Sequence, residues 1–233
     1  MKHRLAEVVA SRVKDGERIG LGSGSTAELV VEALGKRISE EGIVVVGVPT
    51  SARIARLASQ LGIHVLENVG EEPLDWAFDG ADEVDPKHRL IKGRGAAMLS
   101  EKIIASYSSR FVVAVTEEKV VKELGKKFPV PVEVIPSAVE LVAEQLHVLG
   151  ATEIALREAV KKYGPVVTEH GNFILDARFD SISSTLEKDI KGLVGVVESG
   201  LFFDFTDEVL IARADGIYSQ VLVDGKVSES KIA

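Results

Sequence analysis

The sequence contains no cysteine among its 233 residues. This absence excludes disulfide bonds, thiolate chemistry and zinc sites built from cysteine. Basic residues are fewer than acidic ones, and the formal net charge is −8. A protein that binds nucleic acid needs a basic face for the phosphates, so we expect no nucleic-acid partner. If the ligand is an anion, its positive contacts must be local.

Long apolar runs are also missing, because the longest ones have only the length of a strand and fall short of a membrane span. The first 16 residues have the pattern of an amphipathic helix rather than that of a signal peptide. Hydrophobic residues make up 45% of the chain and charged residues 27%, as in ordinary globular proteins. We therefore expect a soluble, cytoplasmic protein without a membrane partner.

The first half of the chain alternates strand patterns with helix patterns. Strands are predicted at residues 17–22, 43–49, 64–67, 74–80 and 110–115, and helices at 26–40, 51–62 and after residue 95. Apolar strands separated by helices predict a parallel sheet that is covered on both faces. In such a doubly wound domain, ligands usually lie at the carboxyl ends of the strands.

Three prolines in "FPVPVEVIP" (128–136) indicate a domain boundary. Beyond it, strands are predicted at 132–135, 152–158, 166–169, 172–178 and 194–199, and helices at 137–149 and 183–191. This order is typical of a ferredoxin-like, split βαβ unit. A last strand at 208–213 and a hairpin over 216–227 are expected to return to the first sheet. The prediction is an α/β fold: a doubly wound domain (1–128 and 205–233) with an inserted, smaller α+β domain (129–204).

The run "GLGSGST" (20–26) follows a strand and opens a helix, as anion-binding loops do. It is not a dinucleotide fingerprint, because Ser25 takes the place of the third glycine and no acidic residue follows about 20 positions later. It also lacks the lysine of a Walker A loop. The hydroxyls of Ser23, Ser25 and Thr26 suit a single phosphate group. Alternatively, Ser25 or Thr26 simply caps the helix, and the two interpretations are compatible.

The string "FDGADEVD" carries four carboxylates: Asp79 lies at the end of an apolar strand, and Asp82, Glu83 and Asp85 follow closely. Three interpretations remain open: a solvated turn, a site for a hard cation, or a pair of acid–base groups. The string lacks the spacing of an EF-hand. Its place at the end of a strand favours a functional role.

The segment "IKGRGAAMLSEKII" (91–104) joins a cationic, glycine-rich loop to a helix that carries Glu101. The helical neighbours of Glu101 at three and four positions are all apolar: Ala97, Met98, Ile104 and Ala105. Burial of a carboxylate there raises its pKa towards the range of a general base. The alternative is a partly exposed glutamate paired with Lys102. Lys92 either stabilises an oxyanion or is an ordinary surface lysine.

The motifs "GLGSGST", "DGADEVD", "KGRGAAMLSEKII" and "VTEEKVV", in this order, resemble those of ribose-5-phosphate isomerase type A. The segments "GNFILDARF" and "GVVESGLF" extend the resemblance over nearly the whole chain. It implies a Rossmann-like domain with a smaller α+β domain, and the interconversion of ribose 5-phosphate and ribulose 5-phosphate in the pentose phosphate pathway. It also implies an enediolate intermediate, no metal and no organic cofactor, and a homodimer or homotetramer.

The resemblance implies that Glu101 is the base, with Asp79, Asp82 and Lys92 as further catalytic residues. The implied substrate-binding residues are Ser23, Gly24, Ser25, Thr26, Asp79, Gly80, Ala81, Asp82, Lys92, Gly93, Arg94, Gly95 and Lys119. Lys2 matches an N-terminal phosphate-binding lysine more weakly. The chain departs from the family at Arg94, where many members have glycine, and at Ser23, which replaces a threonine.

Two other classes of function share folds of this type, so fold alone does not decide between them. A sugar-phosphate sensor would need the phosphate loop but not Glu101, and would normally carry a DNA-binding segment. An acyl-CoA transferase would use a glutamate as its nucleophile and would usually need a longer or paired chain.

Overall fold

The computed structural model describes residues 1–233. Its contacts divide the chain into two units. The first unit comprises Met1–Ala81, Ser100–Val120 and Phe205–Ala233, and the second comprises Asp82–Leu99 and Val121–Asp204.

Fifteen strands and six α-helices follow one another along the chain. The strands are β1 Arg18–Leu21, β2 Val46–Pro49, β3 His64–Val65, β4 Trp76–Asp79, β5 Glu83–Val84, β6 Leu90–Ile91, β7 Phe111–Thr116, β8 Val130–Val134, β9 Ala151–Leu156, β10 Phe173–Phe179, β11 Val196–Ser199, β12 Leu201–Phe202, β13 Glu208–Arg213, β14 Gly216–Val223 and β15 Lys226–Lys231. The helices are α1 Lys2–Ala10, α2 Ser25–Glu41, α3 Ala52–Gln60, α4 Met98–Ser106, α5 Val139–Val148 and α6 Leu186–Lys191. None of these helices combines the length and the apolar character that a bilayer-spanning helix requires.

The first unit is built on an eight-stranded sheet with the order β15-β14-β13-β7-β4-β1-β2-β3. The strands from β13 to β3 in this order pair in parallel, whereas β13, β14 and β15 pair antiparallel. The predicted doubly wound sheet is therefore confirmed, as is the return of the last strands to it. The chain moves outwards from β1 to β3 and then comes back to β4 on the other side of β1, so the order reverses between β1 and β4.

Helices cover both faces of this sheet, as the contacts of successive residues in β1 show. Ile19 and Leu21 belong to the core cluster that includes α1, α2 and α3. Gly20 points to the opposite face, because successive residues of a strand alternate between faces. A Cβ atom at Gly20 would lie 2.3 Å from Cγ2 of Ile104, so α4 packs on β1 at closest approach. Only glycine leaves room for that contact.

The buried carboxylate of Glu208 in β13 binds two arginines and a serine hydroxyl from three parts of the first unit. It accepts hydrogen bonds from Arg12 at 2.6 and 3.2 Å, from Arg110 at 2.6 Å and from the hydroxyl of Ser219. Burial alone would raise the pKa of Glu208. The hydrogen bonds from Arg12 and Ser219, together with the charges of Arg12 and Arg110, bring this pKa below its ordinary value.

The second unit contains an antiparallel sheet with the order β11-β8-β10-β9. Helix α5 connects β8 to β9 and helix α6 connects β10 to β11, so the ferredoxin-like arrangement is confirmed. Its core consists of apolar residues from these strands and from both helices.

The predicted strand at 166–169 is wrong. Only an isolated bridge joins Glu158 to Pro165, and the chain then turns, with the N–H of Gly171 donating to the carbonyl of Thr168 at 2.9 Å. The hydroxyl of Thr168 and the amide of Asn172 both donate to the buried Glu133, at 2.8 and 2.9 Å. These side-chain hydrogen bonds hold the turn in place, although it has no partner strand.

A small three-stranded sheet, with the order β12-β6-β5, was not predicted. Each of its strands has two residues, which is too short for a periodic pattern to be visible. Its pairing groups residues 82–99 with the second unit. The predicted boundaries place both this segment and residues 121–128 in the doubly wound domain. The division into domains at 1–128 with 205–233, and at 129–204, stays a prediction.

Candidate active site

The candidate site in the first unit lies at the carboxyl ends of β1 and β4, where the strand order reverses. In open α/β sheets, this switch point is where ligands usually bind. The predicted phosphate loop (residues 23–26) leaves β1 here, and Asp79 is the last residue of β4. Strand topology therefore brings together two motifs that are 53 or more positions apart in the sequence.

The carboxylate of Asp79 is buried against the phosphate loop. Its Oδ1 accepts hydrogen bonds from the backbone N–H of Ser23 at 3.1 Å and of Gly80 at 2.7 Å. A Cβ at Gly22 would lie 2.4 Å from Cγ of Asp79 and 2.5 Å from the carbonyl oxygen of Phe78. The second glycine of "GLGSGST" is therefore needed for close approach rather than for its backbone conformation.

The hydroxyl of Ser23 belongs to a cluster of three hydroxyl groups. Its Oγ lies 2.6 Å from Oγ1 of Thr50 and donates to Oγ of Ser51 at 2.7 Å. Both partners follow the carboxyl end of β2, and Ser51 caps α3 by accepting from the N–H of Ile54. The hydroxyls of two strand ends thus meet beside the loop.

Cations gather at the start of α2, a helix of 17 residues. Its N-cap is Gly24, with φ 99°, and neither Ser25 nor Thr26 makes the side-chain cap that the sequence left open. Instead, Nζ of Lys2 donates to Oγ of Ser25 at 3.2 Å. The pKa of Glu118 is lowered by its hydrogen bond from Thr116 and, more weakly, by the charges of Lys119 and Lys2. These charges and the helix N-terminus favour an anion here.

Glu101 lies on the first turn of α4 and is only 5% exposed. This burial excludes the partly exposed glutamate that the sequence left as the alternative. Because α4 leads directly into β7, its last turn lies at the amino edge of the sheet and its first turn lies towards the carboxyl edge. Ile104 marks the contact with β1, and Glu101 lies three residues, about 4.5 Å, closer to the carboxyl edge. Lys102, also buried, lies with Nζ 5.7 Å from the centre of the Phe205 ring.

In the second unit, Lys92 begins the cationic loop at residues 92–95. Its N–H donates to the carbonyl of Gly200 at 2.8 Å, and its Nζ lies 5.6 Å from the centre of the Phe202 ring. The side chain is almost fully buried, so Lys92 is not an ordinary surface lysine. Oδ2 of Asp82 accepts from the N–H of Arg94 at 3.1 Å, which joins the acidic turn to this loop.

The other two carboxylates of the acidic string form hydrogen bonds within the second unit. Glu83 is fully buried and accepts from three backbone N–H groups, of Gly125 at 2.6 Å, Lys127 at 2.7 Å and Phe128 at 2.9 Å. Asp85 accepts from Nε of Arg89 at 2.8 Å. Across residues 1–233, no three His, Asp or Glu side chains are grouped as they would be around a metal ion.

Comparison with known proteins places the chain among sugar-phosphate isomerases. A family model described as ribose 5-phosphate isomerase A (phosphoriboisomerase A) matches residues 46–216. Ribose-5-phosphate isomerase A of Thermosynechococcus vestitus is 49% identical over 216 residues, which cover 91% of each chain. The chain belongs to the ribose 5-phosphate isomerase A family. The enzyme of Prochlorococcus marinus is 47% identical over 95% of this chain and 94% of its own.

Solved structures of this isomerase family agree over nearly the full length. Ribose 5-phosphate isomerase A of Methanocaldococcus jannaschii has a TM-score of 0.89 and 42% identity, and the match covers 99% of this chain and 98% of that one. A second ribose-5-phosphate isomerase, in complex with phospho-erythronic acid, also has a TM-score of 0.89 at 38% identity, over 99% of this chain and 97% of its own. The fold is therefore that of the isomerase family over both units.

Arg94, where this member of the isomerase family departs from the usual glycine, has a physical explanation. Positive φ occurs at Gly93 in the loop, with 99°, and at Ala96 just after it, with 59°, whereas Arg94 is not in the left-handed region. Its side chain is exposed, with the guanidinium carbon 5.2 Å from the centre of the Phe128 ring. An arginine therefore fits here without backbone strain.

The predicted site residues of this isomerase-family chain divide between the units. The first unit holds Ser23, Gly24, Ser25, Thr26, Asp79, Gly80, Ala81, Glu101 and Lys119, and the second holds Asp82, Lys92, Gly93, Arg94 and Gly95. Sequence reasoning missed Thr50 and Ser51. Their signal was present, because two hydroxyl residues directly follow the predicted strand at 43–49 and precede a helix.

Proposed function

We propose that the protein interconverts D-ribose 5-phosphate and D-ribulose 5-phosphate, as an aldose–ketose isomerase of the non-oxidative pentose phosphate pathway. Membership of the family and the names of its relatives support this proposal. The structural observation that carries it is the buried carboxylate of Glu101 at the carboxyl edge of the sheet. A sensor has no use for a buried base, which favours an enzyme.

In the proposed reaction, Glu101 removes the proton from C2 of the open-chain aldose, and a cis-enediolate forms. The same carboxyl group then returns the proton to C1, which gives the ketose. The hydroxyl proton moves from the oxygen on C2 to the oxygen on C1, and C2 is oxidised as C1 is reduced, so no external electron acceptor is needed. A positioned base of this kind contributes about 10²–10⁴-fold to the rate.

The developing oxyanion needs donors that are already in place. We assign this role to Lys92 and to backbone N–H groups of Gly93, Arg94 and Gly95. The burial of Lys92 and the hydrogen bond that holds its backbone support the assignment, because both limit its motion. Asp79 and Asp82 are proposed to hold sugar hydroxyls and to exchange protons with the ring oxygens when the furanose opens.

The phosphate is proposed to bind at the start of α2, through the backbone N–H groups and hydroxyls of residues 23–26. The nearby cations Lys2 and Lys119 support this position. Binding of this remote group positions the reacting carbons without taking part in the chemistry. We further propose that the enzyme needs no metal or organic cofactor, acts in the cytoplasm and forms a homodimer or homotetramer.

The decisive experiment mixes the purified protein with ribose 5-phosphate, with and without EDTA, and follows ribulose 5-phosphate. We expect turnover that EDTA does not change. A protein that gives no turnover would refute the isomerase, and loss of turnover with EDTA would indicate a metal.

The assignment of the base is tested by Glu101→Gln, which keeps the shape of the side chain but cannot accept the proton. We expect turnover to fall about 10²–10⁴-fold, while phospho-erythronic acid still binds within about threefold of wild type, since one carboxylate less changes ground-state binding little. Glu40→Gln is the control, because the Glu40 side chain is 62% exposed and paired only with Lys36 at 3.9 Å. Turnover that survives in Glu101→Gln would assign the base to another residue.

A further inference from the structure

Arg157 forms a fork between two strands and the cationic loop of the second unit. It directly follows β9, and its Nε and Nη2 donate to Oδ2 and Oδ1 of Asp176 in β10, at 2.8 and 2.5 Å. Its remaining nitrogen, Nη1, donates to the carbonyl oxygens of Gly93 at 2.8 Å and Arg94 at 3.2 Å. The guanidinium group therefore uses its planar geometry to join a carboxylate to two successive peptide groups.

The two contacted carbonyls determine where the neighbouring N–H groups point. In a planar trans peptide, the C=O and the N–H point in opposite directions. When the carbonyl of Gly93 faces Arg157, the N–H of Arg94 faces away from it, and this N–H donates to Asp82. In the same way, the N–H of Gly95 is turned away from Arg157. Gly95 is exposed, and its N–H has no acceptor within the protein.

The loop needs such an external support because its own backbone bonds are few. The N–H of Ala96 donates to the carbonyl of Gly93 at 3.0 Å, and Lys92 is bound to Gly200. Ala96 lies in the left-handed region with φ 59°, which an alanine adopts only when its surroundings impose it. The Arg157 side chain is 17% exposed and that of Asp176 is 20% exposed, so the pair is only partly screened by solvent.

We propose that Arg157, oriented by Asp176, is a positioning residue for the isomerisation. It holds the peptide groups after Lys92 so that the N–H of Gly95 is presented to a substrate oxygen and the N–H of Arg94 to the carboxylate of Asp82. It does not itself touch the substrate. This inference rests on the proposed function, because it requires the loop at 92–95 to serve the reaction.

The test uses Arg157→Gln and the conservative Arg157→Lys, which keeps the charge but cannot form the fork. We expect kcat to fall about 10–100-fold in Arg157→Gln and less in Arg157→Lys, with KM within about threefold, because a small misplacement of reacting groups lowers the rate strongly. Amide hydrogen exchange of residues 92–97 is expected to be about tenfold faster or more in Arg157→Gln, since the loop opens locally. The matched control is Arg178→Gln, because Arg178 is 45% exposed and lies 3.6 Å from an exposed partner, Glu153.

A double variant separates positioning from simple neutralisation of charge. If Arg157 acts through its bonds to the loop, Arg157→Gln combined with Asp176→Asn stays as slow as Arg157→Gln alone. If the double variant regains the wild-type kcat, Arg157 only neutralises Asp176 and the proposal is wrong. Unchanged exchange at residues 92–97 in Arg157→Gln would overturn it equally. If Arg157→Gln does not fold, Arg157→Lys provides the test. A wild-type kcat and wild-type exchange rates in Arg157→Lys would refute the positioning role of the Arg157 guanidinium group.

If the protein is not a ribose-5-phosphate isomerase, the experiments give a result that differs from a failure of the positioning role. In that case the wild-type protein does not convert ribose 5-phosphate, whereas the exchange experiment still reports whether Arg157 holds the loop. Wild-type turnover combined with an unaffected Arg157→Gln variant would leave the isomerase in place and remove the positioning role.

Discussion

Replacement of Gly22 by alanine should damage both the stability and the activity of this protein. The added Cβ would lie 2.4 Å from Cγ and Oδ1 of Asp79 and 2.5 Å from the carbonyl oxygen of Phe78. Ordinary contacts begin at 3.4 Å, so atoms must move by 1.0 Å at Asp79 and by 0.9 Å at Phe78. The carbonyl of Phe78 accepts from the N–H of Gly22 at 2.9 Å, so β4 cannot retreat without weakening that bond. Asp79 is therefore the group that moves.

The expected cost has two parts. Overpacking of a close contact costs about 1–3 kcal/mol. Displacement of Asp79 weakens its hydrogen bond from the N–H of Ser23, and a bond to a charged group is worth about 1.5–3 kcal/mol. Allowing for relaxation, we expect a loss of about 3 kcal/mol in the free energy of unfolding, or a fall of about 6–12 °C in Tm. Turnover of ribose 5-phosphate should fall about 10²-fold, because Asp79 is displaced by about 1 Å.

Thermal unfolding and steady-state kinetics check both values, with Gly192→Ala as the control. A Cβ at Gly192 would meet only carbonyl oxygens at 3.5 Å, and its φ of −75° suits alanine. In an Asp79→Ala background, Gly22→Ala should cost less than in wild type, because the clash with the carboxylate is gone. A Gly22→Ala protein with the wild-type Tm and with turnover within threefold of wild type would refute the steric reasoning.

Three further predictions concern single residues. Glu83→Gln should lower the free energy of unfolding by about 3 kcal/mol in denaturant titrations, because the NH₂ group that replaces one carboxylate oxygen cannot accept from the backbone N–H that this oxygen binds, and the charge that strengthens the other bonds is lost. If Glu83→Gln is as stable as wild type in the same titration, these hydrogen bonds do not stabilise the fold and the prediction is wrong. Glu208→Gln should lose about 2 kcal/mol at pH 7 through the unpaired Arg12. Because the folded pKa of Glu208 is lowered, its contribution is present above the unfolded pKa of about 4.3 and is lost as pH falls through the folded pKa. Wild type should therefore lose its advantage over Glu208→Gln in acid, and an advantage that persists at pH 2 would contradict this. Ala96→Gly should gain about 0.5–1 kcal/mol, since glycine adopts positive φ without strain; a loss of stability would show that φ 59° costs nothing there.

Much of the candidate site could be predicted because its signals are local. The apolar neighbours of Glu101 follow from helical spacing alone, and they made burial one of two open interpretations, which the structure then decided. The order of strands and helices in the first half likewise specifies a parallel sheet, in which Asp79 lies at the end of a predicted strand and Ser23 directly follows another. Periodicity and turn residues are properties of short segments, so one sequence is enough to read them.

Local patterns also explain the failures. The segment at 166–169 begins with three β-branched residues and so has the composition of a strand, but composition does not show whether a partner strand is available. Glu83 was one of four carboxylates whose role the sequence left open, whereas in the structure it is completely buried and accepts from backbone N–H groups of residues 125–128. Arg94 was unexplained because the sequence does not reveal which loop positions take positive φ.

By itself, the sequence determined the alternation of elements, the glycine-rich loop at the end of β1 and the apolar helical neighbours of Glu101. Only the tertiary structure decided that Ser23 meets Ser51 across 28 positions, that Gly22 must be glycine because of Asp79, and that Arg157 supports Gly93 across 64 positions. The physical reason is the range of the interactions. Hydrophobic periodicity and helix capping act between near neighbours, whereas hydrogen bonds between distant segments depend on strand order and register, which no short stretch of the chain contains.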